Sequence, residues 1–339
     1  MRSMWLCLLP LLLCTSFEPC RADPPPPPPP PPSSLGWRSS PPSASSGSSL
    51  CTLARVDAST PEGVRRFWNA HVKGERPAVL INARSGPKSE RYTRSFDEFL
   101  RRIERNAMLK EHGQAVITLS TANSYSHDKR KVTLEEYIKQ ALDHAAEKRD
   151  NGTHTGRAEE LRGNETYLWF GDHDDASDGR RLRKMIDTYE HSMPEAMQIP
   201  GTTFKRDVAL SFGIGGVGTG VPWHTHGAGF SECFSGRKRW FFQPPDDPPV
   251  WDPDATTAQW LATATAQKHS RWMECVLHPG EIVYFPSEWH HATLNLDEVI
   301  HISAFVNGGW AATSAKATAA RERGLRIMAT RRAAAGQEL

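Results

Sequence analysis

The sequence predicts a mainly β fold, a barrel of short strands with flanking helices, and three observations carry that expectation. Eight short apolar runs follow one another near 208–214, 221–226, 229–235, 238–243, 272–277, 281–285, 290–295 and 299–306, punctuated by glycine and proline; spacing of this kind is the all-β signal. The chain beyond its first 50 residues has length for one domain of roughly 250 residues plus a tail, common for a barrel with helical decoration. His224 and His226 stand two apart in one run, so in a strand both imidazoles point the same way, and His291 in a later run supplies a third. Three such ligands leave metal positions open for a substrate and for oxygen.

From the N-terminus, residues 1–22 read as a secretory signal peptide. Arg2 gives a positive start, Trp5 to Phe17 is apolar, and Cys20, Arg21 and Ala22 offer small residues at the positions a signal peptidase needs. The run is shorter than the about 20 apolar residues of a spanning helix, so no membrane span is expected, with an uncleaved anchor as the alternative. The expected location is the secretory pathway, the lumen of the endoplasmic reticulum first and secretion second. Residues 23–50 hold nine consecutive prolines followed by a serine-rich mixture, a disordered spacer with little to bury; the other reading is a ligand for a proline-recognising domain. A net charge of +2 makes no electrostatic case for nucleic acid. Arg101-Arg102, Arg180-Arg181 and Arg237-Lys238-Arg239 read as solvated faces or strand ends.

Thr60 with Pro61 starts a helix carrying Phe67 and Trp68. Pro77 to Ile81 is a short buried strand, and Ser95 to Leu109 places Phe96, Phe99, Leu100 and Ile103 on one helical face. Ala115 to Leu119 is a strand; Thr133 with Glu136 makes a capping box for a helix to His144. Asp143 to Gly163 is a polar loop, Tyr167 to Phe170 a strand, Arg180 to Tyr189 a helix, and Thr256 to Gln267 a helical insert within the barrel. The Ala/Arg-rich tail, 307–339, has helical character around Ala311 to Arg332 but few apolar residues to dock with, so a mobile tail is expected. Its end, Gly-Gln-Glu-Leu, is a poor relative of a retention signal.

After processing, Cys51, Cys233 and Cys275 remain. An odd number in an oxidising compartment suggests one bridge and one thiol. The expected pair is Cys51 with Cys275, because Cys233 lies inside the proposed metal strand; three free buried thiols is the alternative. Sequons at Asn151 and Asn164 agree with entry into the secretory pathway as a glycoprotein.

The motifs are specific. Gly220 to Pro244 resembles the core of a jumonji-C (JmjC) domain of the cupin superfamily: Pro222, a His-x-ligand pair, then GRKRWFFQPP opening a strand that leads to a proline corner. Gly280 to His291 is similar to that family's closing motif, an acidic turn, a strand ending at Pro286 and a His five residues later. The resemblance covers 51–306 and implies a double-stranded β-helix, the jelly-roll barrel of these proteins, with the metal at its mouth. It further implies Fe(II), or another divalent metal, on His224, His226 and His291, and 2-oxoglutarate as co-substrate with Lys238 on its far carboxylate. Asn123, Tyr125, Trp169, His173 and Asp174 are candidates to line the mouth, with a place in the core as the equal alternative for Trp169.

This sequence departs from the family at two points. His226 stands where active members usually carry Asp or Glu, and Val221 where a hydroxyl residue often contacts the co-substrate. The related cupin pattern adds a Glu to the imidazoles, which makes Glu232 the candidate fourth ligand, with an exposed or paired carboxylate as the other reading. The implied function is a protein hydroxylase acting on another protein. The alternatives are a catalytically impaired JmjC fold that binds or regulates a partner, and a dioxygenase acting on a small molecule without 2-oxoglutarate. A leader peptide directs the chain away from chromatin and makes histone demethylation the weakest reading.

Overall fold

Apolar and aromatic runs separated by glycine and proline build the strands, as the sequence predicts. The structure, a computed structural model, describes residues 35–39, 50–85, 90–121, 129–143, 167–171, 179–198, 208–267, 272–306 and 314–334. The strands are β1 (Ala54–Asp57), β2 (Ala78–Ile81), β3 (Val116–Thr121), β4 (Arg130–Thr133), β5 (Tyr167–Gly171), β6 (Val208–Gly215), β7 (Gly229–Ser235), β8 (Lys238–Gln243), β9 (Met273–Leu277), β10 (Ile282–Phe285), β11 (His290–Asn295) and β12 (Val299–Val306). The larger sheet has nine strands in the order β1-β2-β10-β7-β12-β6-β5-β3-β4, and the smaller runs β11-β8-β9. Among the described residues only β1 and β2 pair in parallel. The two sheets face one another as a jelly-roll barrel.

One predicted strand is irregular. Over 221–226 only His224 bridges, to His291, although Thr293 N–H donates to Val221 O and Asn295 N–H to Thr219 O, both at 2.8 Å. Pro222 has no N–H for a ladder, so this edge of the small sheet follows β11 without becoming a regular strand.

Period-two alternation divides each strand between two environments. On β7, Phe230 and Phe234 face outward to a helical layer, with Phe67 6.0 Å from Phe230 and Phe99 5.0 Å from Phe234. Cys233 faces inward with Trp240, Phe242, Val283, Phe285 and Val299. The helix Thr257–Gln267 covers the outer face of the small sheet, where Trp260 meets Phe241 at 5.2 Å and Trp223 at 4.9 Å. Three apolar layers therefore fix the inter-sheet space in which the histidines lie.

The helical pattern departs from expectation in two places. Ser95 to Leu109 is split into helices Glu90–Ile103 and Arg105–His112, because Glu104 at ψ 136° caps the second by accepting from Ala107 N–H. The Thr133–Glu136 capping box forms as predicted. The expectation of a mobile tail is corrected over Ala315–Ala334, a helix that docks on the barrel. Ala317 and Ala320 are buried, and a Cβ on Gly324 would lie 2.1 Å from Pro245 O, so contact is made through small side chains. Arg321 pairs with Glu288 at 3.1 Å and Arg323 with Asp246 at 3.1 Å.

Cys51 and Cys275 form a disulfide and Cys233 is a buried free thiol, which resolves the open pairing. Among the described residues no helix is long and apolar enough to cross a membrane. The leader, Asn151, Asn164, the polar loop 144–163, the chain end 335–339 and all of the spacer but 35–39 and Leu50 lie outside the described residues. The expectation of a disordered spacer with little to bury is corrected over 35–39, where Trp37 is buried in the core and its Nε1 donates to Ile103 O at 2.9 Å, and Arg38 N–H donates to Glu298 Oε2 at 2.9 Å.

Candidate metal centre

His291 sits on β11, and His224 is tied to it by two backbone hydrogen bonds, His224 N–H to His291 O at 3.1 Å and His291 N–H to His224 O at 3.0 Å. His226 follows on the irregular edge, its carbonyl accepting Glu288 N–H at 3.0 Å. The side chains converge: the three residues offer ligand atoms that all lie within 4.8 Å of one another.

The hydrogen bonds of the imidazoles set their chemistry. His224 Nδ1 lies 2.7 Å from Pro222 O, His226 Nδ1 2.8 Å from Gly227 O, and His291 Nδ1 2.9 Å from Trp289 O. A carbonyl oxygen only accepts, so each Nδ1 carries the proton and each Nε2 presents a lone pair. Burial, then His226, lowers the pKa of His224 to about 4; burial lowers His226; burial, then His224 and His226, hold His291 well below the ordinary value. All three are neutral at physiological pH, the form that binds metal.

The donor set fits a divalent transition metal. His226 Nε2 and His291 Nε2 face each other at 3.1 Å, a repulsive contact between two lone pairs that a shared cation turns into attraction. Nitrogens bound at roughly 2.1 Å and at right angles would stand about 3 Å apart. Aromatic rings wall the site: Phe285 stacks on His291 at 5.2 Å, Trp240 at 5.9 Å, and Phe305 meets His226 edge-on at 4.8 Å.

Lys238 points inward, as its register predicts, while Arg237 pairs with Asp297 and Arg239 with Glu274 on the other face. The ammonium is buried, donates to Asn295 Oδ1 at 3.0 Å, and among the described residues has no carboxylate in salt-bridge range. Burial lowers its pKa to about 8.

Glu232 is the paired carboxylate of the two readings, and its candidacy as a fourth ligand is corrected. It lies on the outward face of β7, where Arg84 Nε and Nη2 reach its two oxygens at 2.6 and 2.7 Å and Tyr189 OH donates at 2.9 Å. Glu232→Gln is expected to cost about 3 kcal/mol of stability, the range for breaking a buried pair, with unchanged metal content by elemental analysis. Trp169 takes the core alternative, buried on the helix side with Phe212 at 5.6 Å rather than lining the mouth. Asn123, Tyr125, His173 and Asp174 lie outside the described residues. Sequence reading missed Trp240 and His301 as inward-facing groups; counting alternate positions along β8 and β12 from Phe242 and Phe305 would have found them.

Acid should loosen the metal-free protein. The folded pKa values of His224, His290, His291 and His301 lie below 6.5 because burial disfavours their charge. Between 6.5 and about 4 the unfolded chain then binds more protons, so stability falls as pH drops through that window. The urea midpoint of metal-free protein should be lower at about pH 5 than at pH 7.

A jelly-roll barrel with three convergent imidazoles at its rim defines a cupin-type protein. The cupin-like domain family matches residues 64–307, and the chain belongs to that family in its JmjC form. JmjC domain-containing protein 8 of Homo sapiens is 34% identical over 274 residues, covering 80% of this chain and 89% of that one. Its counterpart in Rattus norvegicus is 39% identical over 204 residues, 60% of this chain and 67% of that one. Over a shorter stretch of 105 residues the chain is 34% identical to the 2-oxoglutarate and iron-dependent oxygenase JMJD4 of Mus musculus, covering 27% of this chain and 25% of that one.

Proposed function

We propose that this chain is a divergent Fe(II)/2-oxoglutarate-type protein hydroxylase of the secretory-pathway lumen, with a His-x-His…His metal site. The observation that carries the reading is the set of three neutral imidazoles, each with its Nδ1 proton bound to a carbonyl and its Nε2 free for a metal. The similarity to a 2-oxoglutarate and iron-dependent oxygenase supports it. When bound, Fe(II) with 2-oxoglutarate supplies the oxidising chemistry for hydroxylating a C–H bond. His224, His226 and His291 would hold the ion, Lys238 would neutralise the far carboxylate, and Phe285, Trp240 and Phe305 would keep water from the ligands. The Cys51–Cys275 disulfide suits an oxidising compartment, in keeping with the leader and the sequons at Asn151 and Asn164.

The second reading, a JmjC fold that binds or regulates a partner without catalysis, is favoured by His226 itself: neutral imidazoles offset none of the cation's charge, unlike a carboxylate. Elemental analysis of the purified protein, with anaerobic titration of Fe(II) and 2-oxoglutarate, separates the two. Stoichiometric metal and a 2-oxoglutarate-dependent visible band are expected; no metal, or zinc indifferent to 2-oxoglutarate, would overturn the hydroxylase. His226→Asp restores the charge and should tighten Fe(II) binding about tenfold or more, as 1.4 kcal/mol of added attraction gives. Unchanged affinity would mean that His226 does not face the metal.

A further inference from the structure

Among the described residues four ion pairs join the helix Ala315–Ala334 to the barrel, and two of them reach residues with an unusual backbone. Glu75 at φ +51°, Asn82 at φ +54° and Glu288 at φ +65° are the described residues other than glycine in the left-handed region. Asparagine tolerates that region, whereas glutamate is strained in it. Such strain persists only where the surroundings over-determine it, and it gathers at functional sites. Both strained glutamates pair with the helix: Lys316 Nζ lies 3.8 Å from Glu75 Oε2 and Arg321 Nε 3.1 Å from Glu288 Oε2. The other two pairs, Arg323 with Asp246 and Arg331 with Asp247, reach residues outside that region.

One side chain ties the two glutamates together. Trp289, next to Glu288, donates its indole N–H to Glu75 O at 2.9 Å. Its ring packs against the inner cluster that holds Trp240 and Phe285, two of the rings that wall the imidazoles. On the Glu75 side the backbone is closed by Glu75 N–H to Val72 O at 3.2 Å and Arg76 N–H to His71 O at 3.0 Å, where the helical turn Trp68–Val72 ends. On the Glu288 side the turn 286–289 makes two contacts with the ligands. Glu288 N–H donates to His226 O at 3.0 Å, and His291 Nδ1 donates to Trp289 O at 2.9 Å. Ion pairs between exposed side chains add little to stability. Stability is therefore a poor account of why the two pairs fall on the strained residues, and fixing the turn is a better one.

We infer that Lys316 and Arg321 are positioning residues of the metal centre: through Glu75, Glu288 and Trp289 they fix the turn 286–289, and with it the aim of His226 and His291. The inference rests on the metal centre assigned under the proposed function. It adds to that centre two side chains that act through others, from a helix with no candidate ligand.

Titration of the purified full chain with Co(II), whose visible spectrum reports the geometry of its ligands, tests the assignment together with hydrogen exchange of the metal-free chain. Arg321→Gln and Lys316→Gln should each weaken Co(II) about threefold, the scale of a partly exposed ion pair, and shift the visible band. Arg321→Lys should recover most of the loss. In the metal-free chain both Gln variants should speed exchange of the Glu288 N–H, because its bond to His226 O opens more often. Arg323→Gln loosens the same helix away from the turn and should leave Co(II) affinity and Glu288 exchange nearly unchanged; an equal loss there would reduce the cations to general docking and overturn the assignment. Glycine takes a left-handed backbone freely, so in Glu288→Gly the further change Arg321→Gln should cost nothing, and a loss of the original size would overturn the route through Glu288. Normal Co(II) binding that ignores both Gln variants would keep the metal centre and overturn the positioning role. No Co(II) binding in the wild type, with faster Glu288 exchange in the variants, would overturn the metal centre and keep the hold on the turn.

Discussion

His291→Ala is expected to abolish metal binding and to leave the barrel folded. The imidazole is the ligand that joins the two halves of the site, since His224 and His226 lie on one segment and His291 on β11. Its removal leaves two neutral ligands, and disturbance of a partner outside the ligand set alone costs about 10- to 100-fold in affinity, so the loss of a ligand should exceed that. The backbone bonds between His224 and His291 do not depend on the side chain, and β11 keeps its pairing with β8 over six residue pairs. The expected stability loss is about 2–3 kcal/mol, for a buried ring replaced by methyl. Elemental analysis and circular dichroism of the same sample read both halves of the result; full metal occupancy would remove His291 from the ligand set.

Cys51→Ser with Cys275→Ser lowers stability by about 3–5 kcal/mol. The bridge spans a sequence separation of 224, and closing so long a loop restricts the unfolded chain heavily. It also secures an edge: Val276 N–H donates to Leu50 O and Thr52 N–H to Glu274 O, so the bridge fixes the start of the domain to β9. A shift of the guanidinium midpoint on reduction, absent in the double variant, measures the contribution. Cys233, whose thiol burial pushes up to about 12, should stay unreactive throughout.

Most of the barrel was legible because its strands are bounded by residues with strong local meaning. β8 and β11 begin and end where the sequence places them, since Gly236 at φ +73° turns the chain before β8 and Pro244 follows it. The histidine triad was legible from spacing and motif together. Glu232 stayed open between a ligand and a paired carboxylate because the motif counts residues, whereas the face of a strand depends on parity: one position along β7 separates the inter-sheet space from Arg84 and Tyr189. The docked C-terminal helix was illegible for a different reason. Its contact uses Ala317, Ala320 and Gly324, small residues that carry no apolar stripe in sequence, and its ion pairs reach acidic residues far away in the chain.

That helix bears on the metal centre indirectly. Arg321 holds Glu288, whose own N–H holds the carbonyl of His226, and the next residue, Trp289, offers the carbonyl that fixes the tautomer of His291. Glu288 sits at φ +65°, a left-handed conformation that costs about 1–2 kcal/mol outside glycine and is maintained by its neighbours. Docking of the last helix and any occupancy of the imidazoles by a metal would then be linked equilibria: whatever free energy helix docking lent to the metal, metal binding would return to the helix in equal amount. The C-terminal end of the domain would in this sense be a remote determinant of metal affinity without contributing any of the three candidate ligands.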